Sequence, residues 1–411
     1  MASGNEQPAT VENAQLDLTG ELWSLDDDEI WWRDHEKLLD QHGYTLRPRY
    51  RNGWVPSWFG KPDIKWTRCE DSHSMRHPAV MDVARRDGTD VMLKKVAAES
   101  KELTIAQFLT TPELLQDPRN HCVPIFDHFA DDGDPSVNFI AMPVLRTFDD
   151  PPFYTVSEVL EFIEQTLEGI SFIHEHGVAH RDCYYLNIML DATSMYPDGF
   201  HAMYQVATRG FKGDSSARYI QRSDARSVKY YFIDFGLSSS FQDSHEPRLV
   251  TGMDCQLKDV PELSNEIPYD PFPVDIFLLG HLYNEFLISK YPNLHFLLPL
   301  ANSMTTENPK SRPSAEEALR HFHELTSNQP WLSRQWRLRS PEETTKQRYV
   351  LNTKYTARQG FQLLKRIIGS PIVLAALALS AVGATVSVVH NRIGLFTYWR
   401  SVFTRSSLQA R

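Results

Sequence analysis

The stretch "VAHRDCYYLNIML", residues 178–190, decides how the rest of the chain is interpreted. It sets three polar residues in succession, His180, Arg181 and Asp182, and Asn187 follows five positions after the aspartate. A helical pattern precedes the stretch, and its last residues begin a strand-like run, "IMLD". The polar side chains are therefore expected in a loop between two buried elements.

The segments around this stretch predict a helix and a pair of strands. Residues 155–177 open with a capping box, carry apolar residues at helical spacing and end near a glycine, which predicts a helix. "IMLD" is expected to pair with "VKYYFIDFG", 228–236, as a second strand. Between the two strands lies a polar insertion, 191–227, which is unusually long for a loop inside a compact domain.

Two further motifs occur in a fixed order around the opening stretch. The second strand ends at Asp234-Phe235-Gly236, downstream of it. Upstream, residues 79–96 predict a β-hairpin whose second strand carries "VMLK", ending at Lys94. The "VMLK" motif alone is weak evidence, but chance does not account for all three motifs in this order.

Lys94 has a candidate acidic partner in the next predicted element. Residues 100–109 predict a short helix, and Glu102 in its first turn is the carboxylate best placed to hold the lysine. Such a partner fixes a long, flexible side chain. A solvated lysine on an edge strand and a surface glutamate on a helix are the alternative interpretation.

Together, the motifs in residues 79–325 resemble a eukaryotic protein kinase domain. "VPELS", which contains Glu262, resembles the end of an activation segment, and Asp275 and Arg312 match two structural motifs of the large lobe. The phrases "GYTLRPRYRNGWVPSW", "DPRNHCVPIFDHF" and "KYYFIDFGLSS" more narrowly resemble kinase-like proteins of mushroom-forming (basidiomycete) fungi. The resemblance implies an α+β, bilobal fold with a small antiparallel β N-lobe and a mainly α-helical C-lobe.

The resemblance also implies a chemistry, with ATP as the phosphoryl donor and Mg2+ as the cofactor. Lys94 would hold the α- and β-phosphates, with Glu102 behind it. Asp182 would orient the hydroxyl group of a protein substrate and accept its proton. Asn187 and Asp234 would hold magnesium, which bridges and neutralises the phosphates.

Other residues would bind adenine or support the site. The strand predicted over 138–145, "NFIAMPVL", leads to a hinge where adenine would contact Met142, Pro143 and Leu145. The proline lacks an N–H group, but its carbonyl can still accept a hydrogen bond. Arg181 would meet a phosphorylated activation segment. The candidate phosphorylation sites are Ser238, Ser239, Ser240, Ser244 and Thr251. The remaining structural candidates are His180, Phe235, Gly236, Asp275 and an expected buried pair, Glu262 and Arg312.

The chain departs from the kinase pattern in four places. No glycine lies between Gly60 and Gly88, so the glycine-rich phosphate loop is missing. Tyr184 stands where a cation usually steadies the transferring phosphoryl group. Met92 crowds the adenine site, and no G-T-x-x-Y phrase precedes "VPE".

The departures leave two main interpretations open. Because Lys94, Asp182, Asn187 and Asp234 are all present, the sequence favours a weak or specialised protein kinase over a catalytically inactive pseudokinase scaffold. A small-molecule phosphotransferase is disfavoured by the H-R-D and D-F-G motifs. The sequence does not choose between serine/threonine and tyrosine substrates.

Charge is divided unevenly along the chain. The net charge is −11, but residues 330–366 carry nine bases and two acids, and residues 390–411 carry four arginines and no acid. Residues 1–329 are therefore strongly acidic, which argues against nucleic-acid binding by this part. Four scattered cysteines show no metal or disulfide pattern, and a reducing compartment is expected.

An apolar run near the end predicts a membrane anchor. Residues 367–389, "IIGSPIVLAALALSAVGATVSVV", carry no charge, and a helix of this length spans a hydrocarbon core of about 30 Å. A buried core helix is the alternative. Ala376, Ser380 and Ala384 recur every four residues and would let two such helices pack as a dimer. We expect a single-pass C-terminal anchor with the kinase domain facing the cytosol.

The predicted organisation has seven segments, and a single helix is expected over residues 24–43 of the second. The segments are a disordered N-terminus (1–20), a helix with a Trp/Pro-rich extension (21–65), the N-lobe (66–145), the C-lobe (146–325) with the insertion, a basic juxtamembrane linker (326–366), the transmembrane helix (367–389) and a short basic tail (390–411).

Overall fold

The computed structural model describes residues 24–211, 216–241 and 247–368. Its internal contacts divide the chain into two units, residues 1–341 and 342–411. The first unit contains a small lobe built around an antiparallel sheet, followed by a larger, mainly helical lobe. This mixed α+β arrangement fits the bilobal, kinase-like fold that the sequence predicts.

The small lobe contains a five-stranded antiparallel sheet. Its strands are β1 (Tyr44–Leu46), β2 (Val80–Arg85), β3 (Asp90–Ala97), β4 (Asp127–Ala130) and β5 (Val137–Pro143). Their order across the sheet is β1-β2-β3-β5-β4. The turn between β2 and β3 is tight, and Gly88 there adopts a φ of 81°, which residues with a Cβ atom rarely tolerate.

Two short helices, α1 (Asp27–Asp34) and α2 (Glu36–Gln41), precede the sheet, and their apolar residues join its hydrophobic core. Trp32 and Leu39 of these helices are fully buried with Leu93 and Phe139 of the sheet. Because burial contributes about 25 cal/mol per Å2 of apolar surface, these side chains stabilise the small lobe.

The structure divides the helix predicted over residues 24–43 into these two. α1 begins after Asp26, whose side chain accepts the N–H of Glu29 in a capping box. The break falls at His35, whose ring Nδ1 lies 2.6 Å from the carbonyl oxygen of Trp31 and whose Nε2 lies 2.8 Å from Asp131. A side chain that takes a helical carbonyl competes with the helix itself, and the sequence pattern does not reveal that competition.

The sheet begins earlier in the chain than the sequence suggested. β1 lies inside the segment predicted as an extension and pairs with β2, with Leu46 opposite Val83. The whole of residues 47–79 therefore forms the connection between the first two strands. A strand of three residues is too short to show alternation in the sequence, so the predicted lobe boundary at residue 66 does not coincide with the start of the sheet.

After β3 the chain enters α3 (Lys101–Leu109), the short helix predicted from the sequence. The hydroxyl of Ser100 caps this helix by accepting the N–H of Glu102. Ile105, Ala106 and Leu109 are buried on its inner side. The cap and the apolar face together fix the direction in which Glu102 projects.

The larger lobe is mainly helical. Its helices are α4 (Val156–Glu175), α5 (Phe272–Leu282), α6 (Leu298–Met304), α7 (Ala315–Ser327) and α8 (Trp331–Gln335). Its short strands are β6 (Arg146–Thr147), β7 (Val178–Ala179), β8 (Ile188–Asp191), β9 (Lys229–Phe232), β10 (Ser239–Ser240), β11 (Val250–Gly252) and β12 (Ser264–Tyr269). α4 opens with the capping box that the sequence predicts.

The pairing of β8 with β9 determines where the site lies. The strands are antiparallel, and Ile188 at the start of β8 faces Phe232 at the end of β9. Asn187 directly precedes the first strand, and Asp234 follows shortly after the second. Antiparallel pairing therefore brings these two residues to the same end of the strand pair.

The insertion of residues 191–227 packs on both lobes. Met195 and Tyr196 are buried in the core of the larger lobe. Further along, His201 Nε2 lies 3.2 Å from Glu70 Oε1, and Arg209 Nε lies 2.6 Å from Asp90 Oδ2. Both acidic residues belong to the small lobe, so the insertion bridges the lobes.

The second unit contains α9 (Thr345–Ile368), whose sequence carries basic and no acidic residues. No helix in the described part of the chain is both long enough and apolar enough to cross a bilayer. The transmembrane helix predicted over 367–389 lies outside the described residues, apart from its first two, which end α9. The predicted disordered segment 1–20 and the basic tail 390–411 also lie outside them.

Candidate active site

Asp275 holds the loop that contains the His-Arg-Asp triplet. Its carboxylate is completely buried and accepts the N–H of His180 at 2.8 Å and the N–H of Arg181 at 2.6 Å. Arg181 adopts a left-handed φ of 68°, an unusual backbone conformation that this pair of hydrogen bonds helps to hold. His174 of α4 lies 2.9 Å from the same carboxylate. Side chains of the larger lobe thus fix the backbone of this loop.

His180 joins this loop to the residue before Asp234. Its ring is fully buried, and burial lowers the pKa of the imidazole, so the ring is neutral at pH 7. Nδ1 accepts the N–H of Asp182 at 3.3 Å, which leaves Nε2 to carry the proton and donate to the carbonyl of Ile233 at 3.1 Å. One side chain therefore couples the backbone positions of both aspartates.

Lys94 contacts two carboxylates from different elements. Its Nζ lies 2.6 Å from Glu102 Oε1 of α3 and 2.8 Å from Asp234 Oδ1, which follows β9. Burial opposes the charge of the ammonium group, but Glu102 and Asp234 outweigh this effect and raise the pKa of Lys94. Burial also opposes ionisation of Asp234, but the lysine lowers its pKa below the ordinary value. Both groups are therefore charged at pH 7.

The backbone around Asp234 is shaped for this contact. The residue adopts a left-handed φ of 61°, and its Oδ1 accepts the N–H of Gly236 at 3.2 Å. A Cβ atom on Gly236 would lie 3.0 Å from that same Oδ1 and 3.4 Å from Glu102 Oε2, so a glycine keeps space around the carboxylates. Phe235 is buried, with its ring centroid 5.1 Å from that of His180.

Asn187 lies between the two aspartates. Its Nδ2 donates to Asp182 Oδ2 at 2.8 Å and to the carbonyl of Asp182 at 3.0 Å, while its own carbonyl accepts the N–H of Ile233 at 3.0 Å. Both of these side-chain hydrogen bonds use the amide nitrogen, which leaves Oδ1 for another ligand. The structure thus brings Lys94, Glu102, Asp182, Asn187 and Asp234 together.

The oxygens of Asn187 and Asp234 fit a magnesium ion. The Asp234 side chain is 44% exposed, so its carboxylate is open to the cleft. No cluster of three or more His, Cys, Asp or Glu side chains suited to a metal occurs in the described ranges. Magnesium does not need one, because it commonly takes one or two protein oxygens and completes its shell with phosphate oxygens and water.

The predicted adenine-binding residues lie at the end of β5 and just beyond it. Met142 pairs with Met92 of β3, so both methionines lie on one face of the sheet, and Pro143 pairs with Val91. Leu145 is buried, and its carbonyl accepts Nε2 of Gln205 from the insertion at 3.0 Å. The insertion therefore contacts the hinge directly, which the sequence did not predict.

A buried ion pair includes a residue on the same face of the sheet as Met92. Asp82 of β2 is opposite Met92 in the sheet register, and its Oδ1 accepts from Arg47 Nε at 2.9 Å. Burial raises the pKa of Asp82, although Arg47 partly offsets this effect. Arg47 Nη1 also contacts Glu70 at 2.8 Å. The acid inside the strand "VMDVAR" was the one signal of this pair in the sequence.

Arg181 already contacts the activation segment, the part of the chain between Asp234 and Glu262, through backbone carbonyls. Its Nη1 donates to the carbonyl of Leu237 at 3.2 Å, and its Nη2 donates to the carbonyl of Thr251 at 3.1 Å. Its buried Nε has no hydrogen-bond partner in the described ranges. Of the candidate phosphorylation sites, Ser238 is buried and donates to the carbonyl of His180, whereas Ser240 and Thr251 are exposed. Ser244 lies outside the described residues.

Glu262 and Arg312 form a buried ion pair within the larger lobe. Arg312 Nη1 lies 2.5 Å from Glu262 Oε1, and Nη2 lies 2.9 Å from Oε2, so the contact is bidentate. Arg312 Nη1 also donates to the carbonyl of Pro273 at 2.9 Å, in the first turn of α5. The pair supports the helix that carries Asp275.

Two contacts around Asp182 were not expected from the sequence. Gln256 donates its backbone N–H to Asp182 Oδ1 at 2.6 Å and its side-chain Nε2 to Oδ2 at 3.2 Å. The hydroxyl of Tyr184 instead contacts Glu285 and His281. Gln256 belongs to none of the motifs in the sequence and is 74 positions from Asp182, so no local signal could have found it.

No family model matches the chain. The chain is 24% identical over 268 residues to a light-sensor protein kinase of Ceratodon purpureus, covering 61% of this chain and 19% of that protein. It is 26% identical over 195 residues to a calcium/calmodulin-dependent protein kinase type II of Caenorhabditis briggsae, covering 41% and 30%. The corresponding protein of Caenorhabditis elegans is 25% identical over 195 residues, covering 41% and 22%.

The fold, the site and these similarities support a protein kinase-like domain. The chain spans less than a third of the length of the relatives that it matches. The cleft combines a charged lysine, an ionised aspartate with open oxygens and a second aspartate held by an asparagine. Such a set of groups can bind phosphates and accept a proton from a hydroxyl group.

Proposed function

We propose that this chain is a protein kinase that transfers the γ-phosphoryl group of ATP to protein hydroxyls, with Mg2+ as its cofactor. The observation that carries the proposal is the contact of Lys94 with both Glu102 and Asp234, at 2.6 and 2.8 Å. A lysine held in this way points into the cleft, where phosphate oxygens would bind. The narrower affinity to kinase-like proteins of basidiomycete fungi is part of the same proposal and is based on the three quoted phrases.

The proposed reaction uses the residues as follows. The hydroxyl oxygen of the substrate forms a bond to the γ-phosphorus while the bond from that phosphorus to its bridging oxygen breaks, and ADP leaves. Asp182 takes the proton of the hydroxyl group, and Lys94 holds the α- and β-phosphates. Asn187 and Asp234 would hold magnesium, which when bound neutralises phosphate charge.

The second candidate is a pseudokinase that gathers partners at a membrane. Two observations favour it. The hydroxyl of Tyr184 is directed to Glu285 and His281, so position 184 supplies no cation to the cleft. In addition, Gln205 Nε2 already donates a hydrogen bond to the carbonyl of Leu145, one of the predicted adenine-binding residues in the hinge. We favour the enzyme because the groups that the chemistry needs most are all directed to one place.

Nucleotide binding is the first test. The full-length chain should unfold at a higher temperature with ATP and Mg2+, because a ligand that binds the folded state at 100 times its Kd stabilises it by about 2.7 kcal/mol. Replacing Asp234 by asparagine should abolish the magnesium-dependent part of the shift, whereas Asp259→Asn, at an exposed position, should keep it. Absence of any nucleotide-dependent shift in the parent chain would favour the scaffold.

Catalysis is tested separately with labelled ATP and a mixture of protein substrates. The parent chain should transfer label, and Asp182→Asn should lose at least a hundredfold of the rate, because general-base removal typically costs that much. The same variant should still show the nucleotide-dependent thermal shift. Equal labelling by the parent and the variant would rule out Asp182 as the base.

We also infer that residues 367–389 anchor the protein in a membrane with the kinase domain in the cytosol. The support is the length and apolarity of this segment and the basic residues around it. Two such segments would also offer a contact for a dimer through Ala376, Ser380 and Ala384. Deletion of residues 367–411 should move the protein from the membrane pellet to the supernatant; a variant that still sediments with membranes contradicts the anchor.

A further inference from the structure

Asp182 is enclosed by donors from the activation segment as well as from its own loop. The backbone N–H of Gln256 lies 2.6 Å from Oδ1, and its side-chain Nε2 lies 3.2 Å from Oδ2. The side-chain Oε1 of the same residue accepts the N–H of Leu186 at 3.0 Å. Gln256 thus spans from Asp182 to the far end of the same loop.

The residue at position 184 takes no part in this arrangement. The Tyr184 hydroxyl contacts Glu285 and lies 3.1 Å from His281 Nδ1, and its ring lies 6.0 Å from that of Phe286. Its phenol is therefore occupied on the side of the larger lobe. In the described ranges, the side-chain donors to the Asp182 carboxylate are Nδ2 of Asn187 and Nε2 of Gln256.

These two amides constrain the carboxylate from different directions. Asn187 comes from the start of β8 and also binds the carbonyl of Asp182, whereas Gln256 comes from the activation segment. A carboxylate that accepts hydrogen bonds on both oxygens cannot rotate freely about its last torsion angle. The orientation of the carboxylate is thereby fixed before a substrate binds, and a fixed base is what efficient proton transfer requires.

We propose that Gln256 is a positioning residue that orients Asp182 for proton transfer, at a site where Tyr184 supplies no cation. This inference rests on the proposed function. The amide acts through Asp182 and is not itself a reacting group. Its nitrogen is a weaker donor than an ammonium group, so we expect a slower reaction than a cationic donor at this position would give.

Three substitutions at this position test the role. Gln256→Leu removes both side-chain hydrogen bonds and keeps the backbone donor, and Gln256→Glu keeps the length but replaces the donor by a second carboxylate. We expect about a 10- to 100-fold loss of kcat in the first variant and at least as large a loss in the second. Gln256→Lys restores a cationic donor and should match or exceed the parent rate.

The KM for ATP separates positioning from a general structural effect. In all three variants the KM for ATP and the nucleotide-dependent thermal shift should stay close to the parent values, because Gln256 contacts the acceptor side of the site. Gln116→Leu, at an exposed position outside the cleft, is the matched control and should leave kcat unchanged. A rise of KM together with an unchanged kcat would overturn the proposal.

The opposite role is also decided by these variants. If Gln256 occupied the site of the hydroxyl group as a plug, Gln256→Leu would transfer phosphate faster than the parent chain. That result, or an unchanged kcat, would overturn the proposal.

Hydrogen exchange of the chain without nucleotide gives a readout that does not depend on catalysis. In Gln256→Leu, amide exchange in the peptide that contains Leu186 should rise, because the acceptor of its N–H is lost. A parent chain without transfer would overturn the proposed function. In that case the exchange result would test only whether Gln256 holds the loop. Faster exchange supports this role, and unchanged exchange overturns it.

Discussion

At the scale of single residues, the site depends on charges that stabilise one another. Lys94 is shared by Glu102 and Asp234, and each carboxylate comes from a different element. Burial raises the pKa of Glu102, and Asp234 raises it further, while Lys94 lowers it. Ionisation is therefore less favourable at Glu102 than at Asp234. A lysine with two partners keeps its orientation even when one partner turns toward a ligand.

Removal of the charge on Glu102 tests this arrangement. Glu102→Gln should reduce kcat/KM for ATP about 10-fold, which corresponds to about 1.4 kcal/mol, because Lys94 keeps Asp234 but loses the partner that is not proposed to bind magnesium. Steady-state kinetics with varied ATP measures the effect. Glu99→Gln removes an exposed charge three positions earlier and should leave kcat/KM unchanged. Equal values for Glu102→Gln and the parent chain would mean that Asp234 alone holds the lysine.

At the scale of elements, close packing between helices and ion pairs across connections position the site. α5 carries Asp275, and α6 packs against it at Gly280. A Cβ atom on this glycine would lie 2.5 Å from the Cβ of Met304, closer than real Cβ atoms approach, and 3.0 Å from Cγ2 of Thr305, which is already a tight contact. The absence of a side chain at Gly280 therefore sets the distance between the helix that supports the loop and its neighbour.

Gly280→Ala should destabilise the first unit by about 1–3 kcal/mol, the usual cost of overpacking a core. Chemical denaturation, followed by tryptophan fluorescence, measures the change. Gly360→Ala in α9 is the control, because no heavy atom lies within 4 Å of its added Cβ. The control should leave the transition of the first unit unchanged. An unshifted midpoint in Gly280→Ala would contradict the close contact of α5 and α6.

The connection between β1 and β2 depends on Glu70. Burial opposes its ionisation, but His201 and Arg47 outweigh this effect and lower its pKa to about 2 from an ordinary 4.5. The side chain is only 25% exposed, so solvent screens these contacts incompletely. Because the folded-state pKa is the lower one, the ionised carboxylate stabilises the fold above pH 4.5, and this contribution disappears as the pH falls toward 2.

Glu70→Gln should therefore be less stable than the parent chain at pH 7, and the difference should shrink below pH 4.5. Free energies of unfolding measured at a series of pH values between 7 and 3 test this expectation. Glu113→Gln, an exposed substitution, should follow the parent curve at every pH. A difference that stays constant over the whole range would show that the charge of Glu70 is not the cause.

At the scale of the whole molecule, the insertion joins the two lobes at the hinge. Gln205 binds the carbonyl of Leu145, and the carbonyl of Gln205 accepts from Arg146 Nη1 at 2.8 Å. Arg209 pairs with Asp90 at the end of the β2–β3 turn, and the ring of Tyr204 stacks on His73 at 4.3 Å. The long connection after β1 carries Glu70 and His73, and it therefore provides part of the surface on which the insertion packs.

The double substitution Gln205→Ala and Arg209→Ala should increase the mobility of the bridge and lower the overall stability only slightly. Arg209 is 48% exposed, and exposed ion pairs contribute little to the free energy of unfolding. Hydrogen exchange should therefore rise in peptides that cover β2 and the hinge, while the thermal midpoint falls by only a few degrees. Arg218→Ala removes an exposed arginine from the same insertion and should leave the exchange unchanged. Unchanged exchange in the double variant would contradict the bridge.

The sequence by itself determined the elements whose signals are local. The hairpin with Gly88, the capping box of α4 and the order of the three motifs predicted the lobes. The position of Glu102 in the first turn of the next predicted helix predicted its pairing with Lys94. These features depend on residues near one another in the chain, where turn chemistry, capping and periodicity act directly.

Only the tertiary structure decided what the distant segments do. It made residues 44–46 a strand, brought Gln256 onto Asp182 and directed the insertion to the hinge at Leu145. Each of these contacts joins groups that are far apart in the chain and that have no periodic or local pattern of their own. Such contacts form because burial and hydrogen bonding are satisfied across the whole fold. A short window of sequence does not show which distant groups will meet.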